Sequence, residues 1–193
     1  MKRLILSILL ALVVLAAFGS LPKVPIQKVE QDAFQQVTSK LKEHKSSYSI
    51  KQKTSFIQSA NASENNFNLN SYAVIDYETG KVIAESNLDK KVSIASVTKI
   101  MTAVVALDLA EEDELITITK NAARQIPTKI GVVPGEKMRL SELLDALLLT
   151  SANDAAEAIK DGIDAKYGEE VFIRAMNEKA KFLGMNDSSF TNP

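Results

Sequence analysis

A strand hairpin followed by a run of apolar helical segments predicts an α+β fold for this 193-residue chain. Three observations carry that prediction. Two β-branched-rich runs, residues 72–76 and 81–85, flank Tyr77-Glu78-Thr79-Gly80, where Gly80 can take a positive φ. Apolar segments of helical length recur from Ser96 onward. The hydrophobic fraction of 46% against 24% charged residues is that of a globular protein rather than a disordered one.

Taken in chain order, residues 1–22 read as a targeting segment. Lys2 and Arg3 precede an uncharged apolar stretch over residues 4–18, and Gly19-Ser20-Leu21-Pro22 follows. That pattern fits a cleaved signal peptide, with an uncleaved membrane anchor as the competing reading. Either way the body is expected to be exported, outside the cytoplasm, with the membrane touched only through this segment. Residues 23–70 are polar and are expected to form a spacer with apolar residues too sparse for a core. Within it, residues 29–42 are patterned as one amphipathic helix, and residues 45–66, just after His44, read as a loop.

Residues 71–193 have a different character. Val74, Ile75, Val82 and Ile83 put apolar side chains on both faces of the hairpin, which predicts a sheet covered on both sides. A helix is expected over residues 96–109, buried all round, and a short strand over 115–119. A loop with Pro127, Gly131, Pro134 and Gly135 comes next. Further helices are expected over 141–150, 153–161 and 169–183, the last closed by Gly184.

Composition excludes several chemistries. The 23 basic and 24 acidic residues leave a net charge of −1, which removes the usual electrostatic basis for binding nucleic acid. The chain has no cysteine, so thiol nucleophiles, disulfides and thiolate zinc sites are out. His44 is the only histidine and lies in the polar segment. A nucleophile here therefore needs another base.

Ser96-Val97-Thr98-Lys99 offers one. A serine and a lysine three apart share a helix face, and a neutral amine there could take the hydroxyl proton. The spacing by itself is cheap, because Ser20 to Lys23 and Ser39 to Lys42 repeat it in polar or boundary segments. The surroundings separate the third case: Lys99 is the only charged residue between Ser93 and Leu107. Burial of a lysine lowers its pKa and marks functional sites. The plainer alternative is that Ser96 caps the helix while Lys99 reaches out to solvent. A second constellation, Ser151-Ala152-Asn153-Asp154, ends an apolar run. Ser151 could relay a proton and Asn153 could orient a carbonyl; equally, Asn153 or Asp154 could simply cap the next helix.

In combination, Ser-x-x-Lys and Ser-x-Asn belong to the motif set of penicillin-binding proteins and class A β-lactamases. The wording around them, Ala95-Ser96-Val97-Thr98-Lys99-Ile100-Met101-Thr102-Ala103 and Leu148-Leu149-Thr150-Ser151-Ala152-Asn153-Asp154-Ala155-Ala156, resembles the low-molecular-weight D-alanyl-D-alanine carboxypeptidases. The Pro134-Gly135-Glu136 turn and Phe190-Thr191-Asn192-Pro193 fit the same family. The resemblance implies a transpeptidase-like fold, an acyl-enzyme on Ser96, Lys99 as its base, Ser151 as proton shuttle and Asn153 as substrate ligand. It also implies peptidoglycan stem peptides as substrate, β-lactams as inhibitors, and no metal or organic cofactor. The oligomeric state is left open.

The family's third motif, Lys-Thr-Gly, does not occur here. The chain is accordingly expected to be the N-terminal part of a longer enzyme, without the remaining sheet strands and inactive at this length. A class A β-lactamase-like hydrolase and a non-catalytic wall-binding relative are the alternatives. The former is disfavoured by Ala152, where that class usually has aspartate.

Overall fold

The computed structural model describes residues 26–43 and 69–193. The N-terminal targeting segment, His44 and the loop expected over 45–66 lie outside the described residues. Among the described residues no helix is long and apolar enough to cross a membrane.

The first helix, α1 (Ile26–Glu43), is longer than its amphipathic pattern predicted and is no spacer. Phe34, Val37 and Leu41 fall on one stripe of a 3.6-residue period, and the last two are buried in the core. Polar contacts fasten the same face. Lys40 Nζ donates to the Tyr167 hydroxyl at 2.9 Å, which donates in turn to the Leu109 carbonyl at 2.9 Å. The Arg174 guanidinium stacks 3.6 Å over the Phe34 ring. Three well-spaced apolar residues are thus enough, because the surface they meet is already apolar.

The hairpin forms as expected, with β1 (Tyr72–Ile75) antiparallel to β2 (Val82–Ser86). Asp76 holds its turn, accepting from the Thr79 backbone N–H at 2.7 Å and from the Thr79 hydroxyl, while Gly80 sits at φ 69°. The hairpin's apolar faces stay largely open, as expected of it without the remaining sheet strands. Only Val82 is buried, whereas Val74, Ile75 and Ile83 are about half exposed, because this sheet has two strands.

A single turn of 3-10 helix, Ala95–Val97, leads into α2 (Thr98–Leu109). This helix is the hub of the body and packs on α1 and on three later helices: α4 (Leu140–Thr150), α5 (Asn153–Tyr167) and α6 (Val171–Phe182). Met101, Val105, Ala106 and Leu109 supply the contact. It is not buried all round as its composition suggested, for Ile100 is 60% exposed and Leu107 is also open.

Between α2 and α4 lie β3 (Leu115–Thr117), the short α3 (Lys120–Ala123) and β4 (Lys137–Arg139), which pairs antiparallel with β3. The last two occupy what reads as loop. Lys137-Met138-Arg139 has no β-branched residue, so only its partner reveals it as a strand. Thr119 caps α3 by accepting from Ala122 N at 3.0 Å.

α5 runs six residues past its expected end, to Gly168 at φ 123°. Gly162 sits inside it because a Cβ there would lie 2.7 Å from Cγ2 of Ile116 on β3. Behind the hub, Lys179 of α6 and Asp108 of α2 form an ion pair at 2.6 Å with side chains 3% and 1% exposed.

Two stability outcomes follow from these contacts. Ala is about 1 kcal/mol better than Gly inside a helix, yet Gly162→Ala should lower stability by about 1–3 kcal/mol, since three atoms of the branched Ile116 side chain crowd the new methyl. Asp108→Asn should cost about 3–5 kcal/mol, because Lys179 keeps its charge in the interior, while Asp108→Leu with Lys179→Met recovers most of that loss. Urea unfolding monitored by circular dichroism reads both.

Candidate active site

Ser96 lies in the one-turn 3-10 helix, on an exposed surface, one turn before the buried part of α2. The residue before it, Ala95, adopts φ 46°, a left-handed conformation that alanine rarely takes. Ser96 does not cap the helix through its side chain. Its hydroxyl is therefore not committed to the backbone.

Lys99, one turn on, does not reach out to solvent. The residue is only 7% exposed, and its Nζ donates to Asn153 Oδ1 at 2.8 Å and to Ser96 Oγ at 3.5 Å. The second contact is at the outer limit of a hydrogen bond, a looseness common at catalytic pairs before substrate arrives. Both partners are neutral. Among the described residues no carboxylate forms an ion pair with Lys99, and burial pulls its ammonium below the ordinary lysine value of 10.5. Lys160 shows the opposite case: burial also pushes it down, but the neighbouring Asp164, Glu157 and Asp161 outweigh that and raise it.

Asn153 is the first residue of α5, and its amide is fixed from three sides. The backbone N–H donates to the Thr128 carbonyl at 2.7 Å, and Nδ2 donates to the Ile126 carbonyl at 3.0 Å. With Nδ2 spent on Ile126, Oδ1 must face Lys99. The structure thus joins Ser96, Lys99 and Asn153 through Lys99 Nζ.

Ser151 lies two residues away, at the left-handed C-terminus of α4 with φ 57°, and is half-buried. Its hydroxyl is not hydrogen-bonded to any of the other three in this structure. Among the described residues, two of the four non-glycine residues with positive φ, Ala95 and Ser151, thus flank or occupy the candidate site, as strained backbone often does at functional positions.

One site residue was not foreseen in its actual role. Asp154 is fully buried and accepts from the backbone N–H groups of Ile130 at 3.1 Å, Gly131 at 2.8 Å and Val132 at 3.2 Å, besides Ala155 at 3.0 Å. The sequence clue was an acidic residue set between Ala152-Asn153 and Ala155-Ala156, with no cation within a helical turn before Lys160. Among the described residues no group of His, Cys, Asp or Glu is arranged to hold a metal.

The arrangement can do one thing well. An exposed hydroxyl sits next to a buried, uncompensated amine that can accept its proton, and a fixed amide stands beside both.

A model of the D-alanyl-D-alanine carboxypeptidase family matches residues 57–193, more than half of the chain. The chain is 34% identical over 128 residues to the D-alanyl-D-alanine carboxypeptidase DacF of Bacillus subtilis, covering 64% of this chain and 32% of that protein. It is 36% identical over 128 residues to a D-alanyl-D-alanine endopeptidase of Escherichia coli, covering 62% and 39%. Its fold matches the crystal structure of the carboxypeptidase DacD from Francisella tularensis with a TM-score of 0.62 and 33% identity, over 74% of this chain and 34% of that one. The chain therefore spans about a third of the length of these curated relatives.

The buried amine has a measurable signature. Because folding lowers the Lys99 pKa, the unfolded chain binds the extra proton in the window between the folded value and 10.5. Stability should therefore rise with pH across that window as far as Lys99 is concerned. The difference in urea midpoint between wild type and Lys99→Met, followed from pH 7 upward, should shift in favour of the wild type as the amine loses its proton. A flat difference curve would mean the amine is solvated.

Proposed function

The chain belongs to the D-alanyl-D-alanine carboxypeptidase family, and from that premise we propose that it carries the nucleophile and its base for cleaving D-alanyl-D-alanine bonds in peptidoglycan stem peptides. The observation that carries the reading is Lys99: an amine 7% exposed whose hydrogen-bond partners among the described residues are the Ser96 hydroxyl and the Asn153 amide.

The reaction follows from these groups. Lys99 in its neutral form accepts the Ser96 proton as Oγ attacks the carbonyl carbon of the penultimate D-alanine. The bond to the terminal D-alanine nitrogen then breaks, and the proton passes to that nitrogen, with the Ser151 hydroxyl as the relay. Asn153 orients the substrate backbone through its side-chain amide. Water then hydrolyses the serine ester and restores the hydroxyl and the amine to their starting state. A β-lactam carries a strained amide in the place of the scissile bond, so it acylates the same serine. No step calls for a metal or an organic cofactor.

Burial moves the Lys99 pKa downward, the direction that favours the neutral amine the first step uses. The substrate lies outside the cytoplasm, which agrees with the basic-then-apolar N-terminus as an export or anchoring signal. Whether the bond cut is terminal, as in a carboxypeptidase, or internal, as in an endopeptidase, depends on groups beyond these four residues.

Fluorescent penicillin tests the assignment. In a version of the protein that also carries the Lys-Thr-Gly motif, mass spectrometry should place the adduct on Ser96, and Ser96→Ala should remove it while leaving the circular dichroism spectrum nearly unchanged. Lys99→Ala should slow labelling by about 10²–10⁴-fold, the usual contribution of a general base. Lys99→Arg should be nearly as slow, because a guanidinium does not give up its proton. Attachment to another serine, or an arginine variant close to the wild-type rate, would overturn the reading. Turnover of many equivalents of a chromogenic cephalosporin would point instead to a β-lactamase.

A further inference from the structure

We infer that Asp154 is a positioning residue for Lys99, acting through the loop over residues 126–132 and the side-chain amide of Asn153; the inference rests on reading Ser96 and Lys99 as nucleophile and base.

The loop has little else to hold it. Among the described residues, every hydrogen bond that ties residues 126–132 to the rest of the body comes from Asn153 or Asp154. Val132 adds one buried side chain. A carboxylate with three consecutive backbone N–H donors sets the shape of the segment, since each bond fixes one peptide plane. Charge-assisted bonds of this kind are about twice as strong as neutral ones. Gly131, at φ 85° with no atom near its Cβ position, lets the chain wrap around the carboxylate.

The loop's shape in turn decides which way the Asn153 amide points. Ile126 and Thr128 present carbonyls, which can only accept. The Ile126 carbonyl takes Nδ2, so Oδ1 is left for Lys99 Nζ at 2.8 Å. If the loop drifts, the amide is free to rotate, and a rotated amide offers two N–H donors to an amine that needs an acceptor. Asp154 touches none of the reacting atoms, yet the orientation of Asn153 depends on it.

The test reads the Asn153 side-chain amide by nitrogen-15 NMR alongside Ser96 acylation by fluorescent penicillin. Two variants loosen the loop by unrelated means. Asp154→Asn replaces one acceptor oxygen by a donor facing backbone N–H groups. Gly131→Ala keeps the carboxylate and strains the loop at its left-handed turn. A third variant, Ile163→Ala, removes core packing ten residues away on α5 and serves as a control for general destabilisation.

Both loop variants should raise hydrogen exchange at Asn153 Nδ2 and at the Ile130 to Val132 amides by tenfold or more and slow acylation by a similar factor; Ile163→Ala should move neither. Retained protection at Asn153 Nδ2 in both loop variants, with the loop amides released, would overturn the inference. An effect of Asp154→Asn without one of Gly131→Ala would also overturn it, since the aspartate would then act by its charge alone. If a version that also carries the Lys-Thr-Gly motif is never acylated, the proposed function fails, but the amide readout still decides the inference.

Discussion

The structure turns on burying one amine without giving it an anion. A lysine in an interior is ordinarily matched by a carboxylate, and this protein does so elsewhere, at Lys179 with Asp108. At Lys99 it does not: among the described residues the partners are a hydroxyl and an amide oxygen. Burial penalises a charge there and so lowers the Lys99 pKa, the direction in which a general base would be tuned. Everything around Lys99 serves that condition. The hub helix keeps it dry by packing on four other helices, while Ser96 sits just outside, where the helix begins and the surface is open.

Three cations and one buried anion in the same small body show how environment rather than residue type sets behaviour. Lys179 is locked to Asp108 behind the hub, where a charge pair fixes α6 against α2. Lys160, in contact with Glu157, Asp161 and Asp164, is held protonated and ties the solvent side of α5 together. Asp154 needs no cation, because four backbone N–H groups surround it. Among the described residues, Lys99 is the lysine of these three with no carboxylate in contact. That difference, invisible in a list of charged residues, separates the site from the scaffold.

The site was largely legible in the sequence, and for a physical reason. Ser96 and Lys99 belong to one helix, so their spacing fixes their relative position, and an apolar context signals burial before any coordinates exist. Asn153 was legible as a member of a motif, but not its contact with Lys99, 54 residues away in the chain. Asp154 read as a helix cap because its donors lie in a loop that no local pattern connects to it. The long helices were found by their periodicity. The strand over 137–139 and the helix over 120–123 were not, being too short for any period to show. α1 was found as a helix, but its docking was missed: three buried or half-buried residues in 18 look too few until the apolar surface of the hub is there to receive them.

That last case bears on how the site is kept in place. α1 lies ahead of the family-matched region, yet Val37 and Leu41 belong to the same core as Met101 and Val105 of the hub. The face of α2 that carries those residues is turned away from the surface where Ser96 is exposed. Packing on one side of the helix therefore sets the stance of groups on the other, since a helix moves as a rigid rod over a few turns. Ser96 gains its accessibility by standing at the first turn, and Lys99 its dryness by standing one turn deeper. A helix shift of one residue would carry Lys99 to the place that Ile100 holds, 60% exposed, and leave a solvated ammonium. The dense packing behind α2, including the ion pair to α6, thus fixes where the serine–lysine pair stands, although none of it touches either side chain.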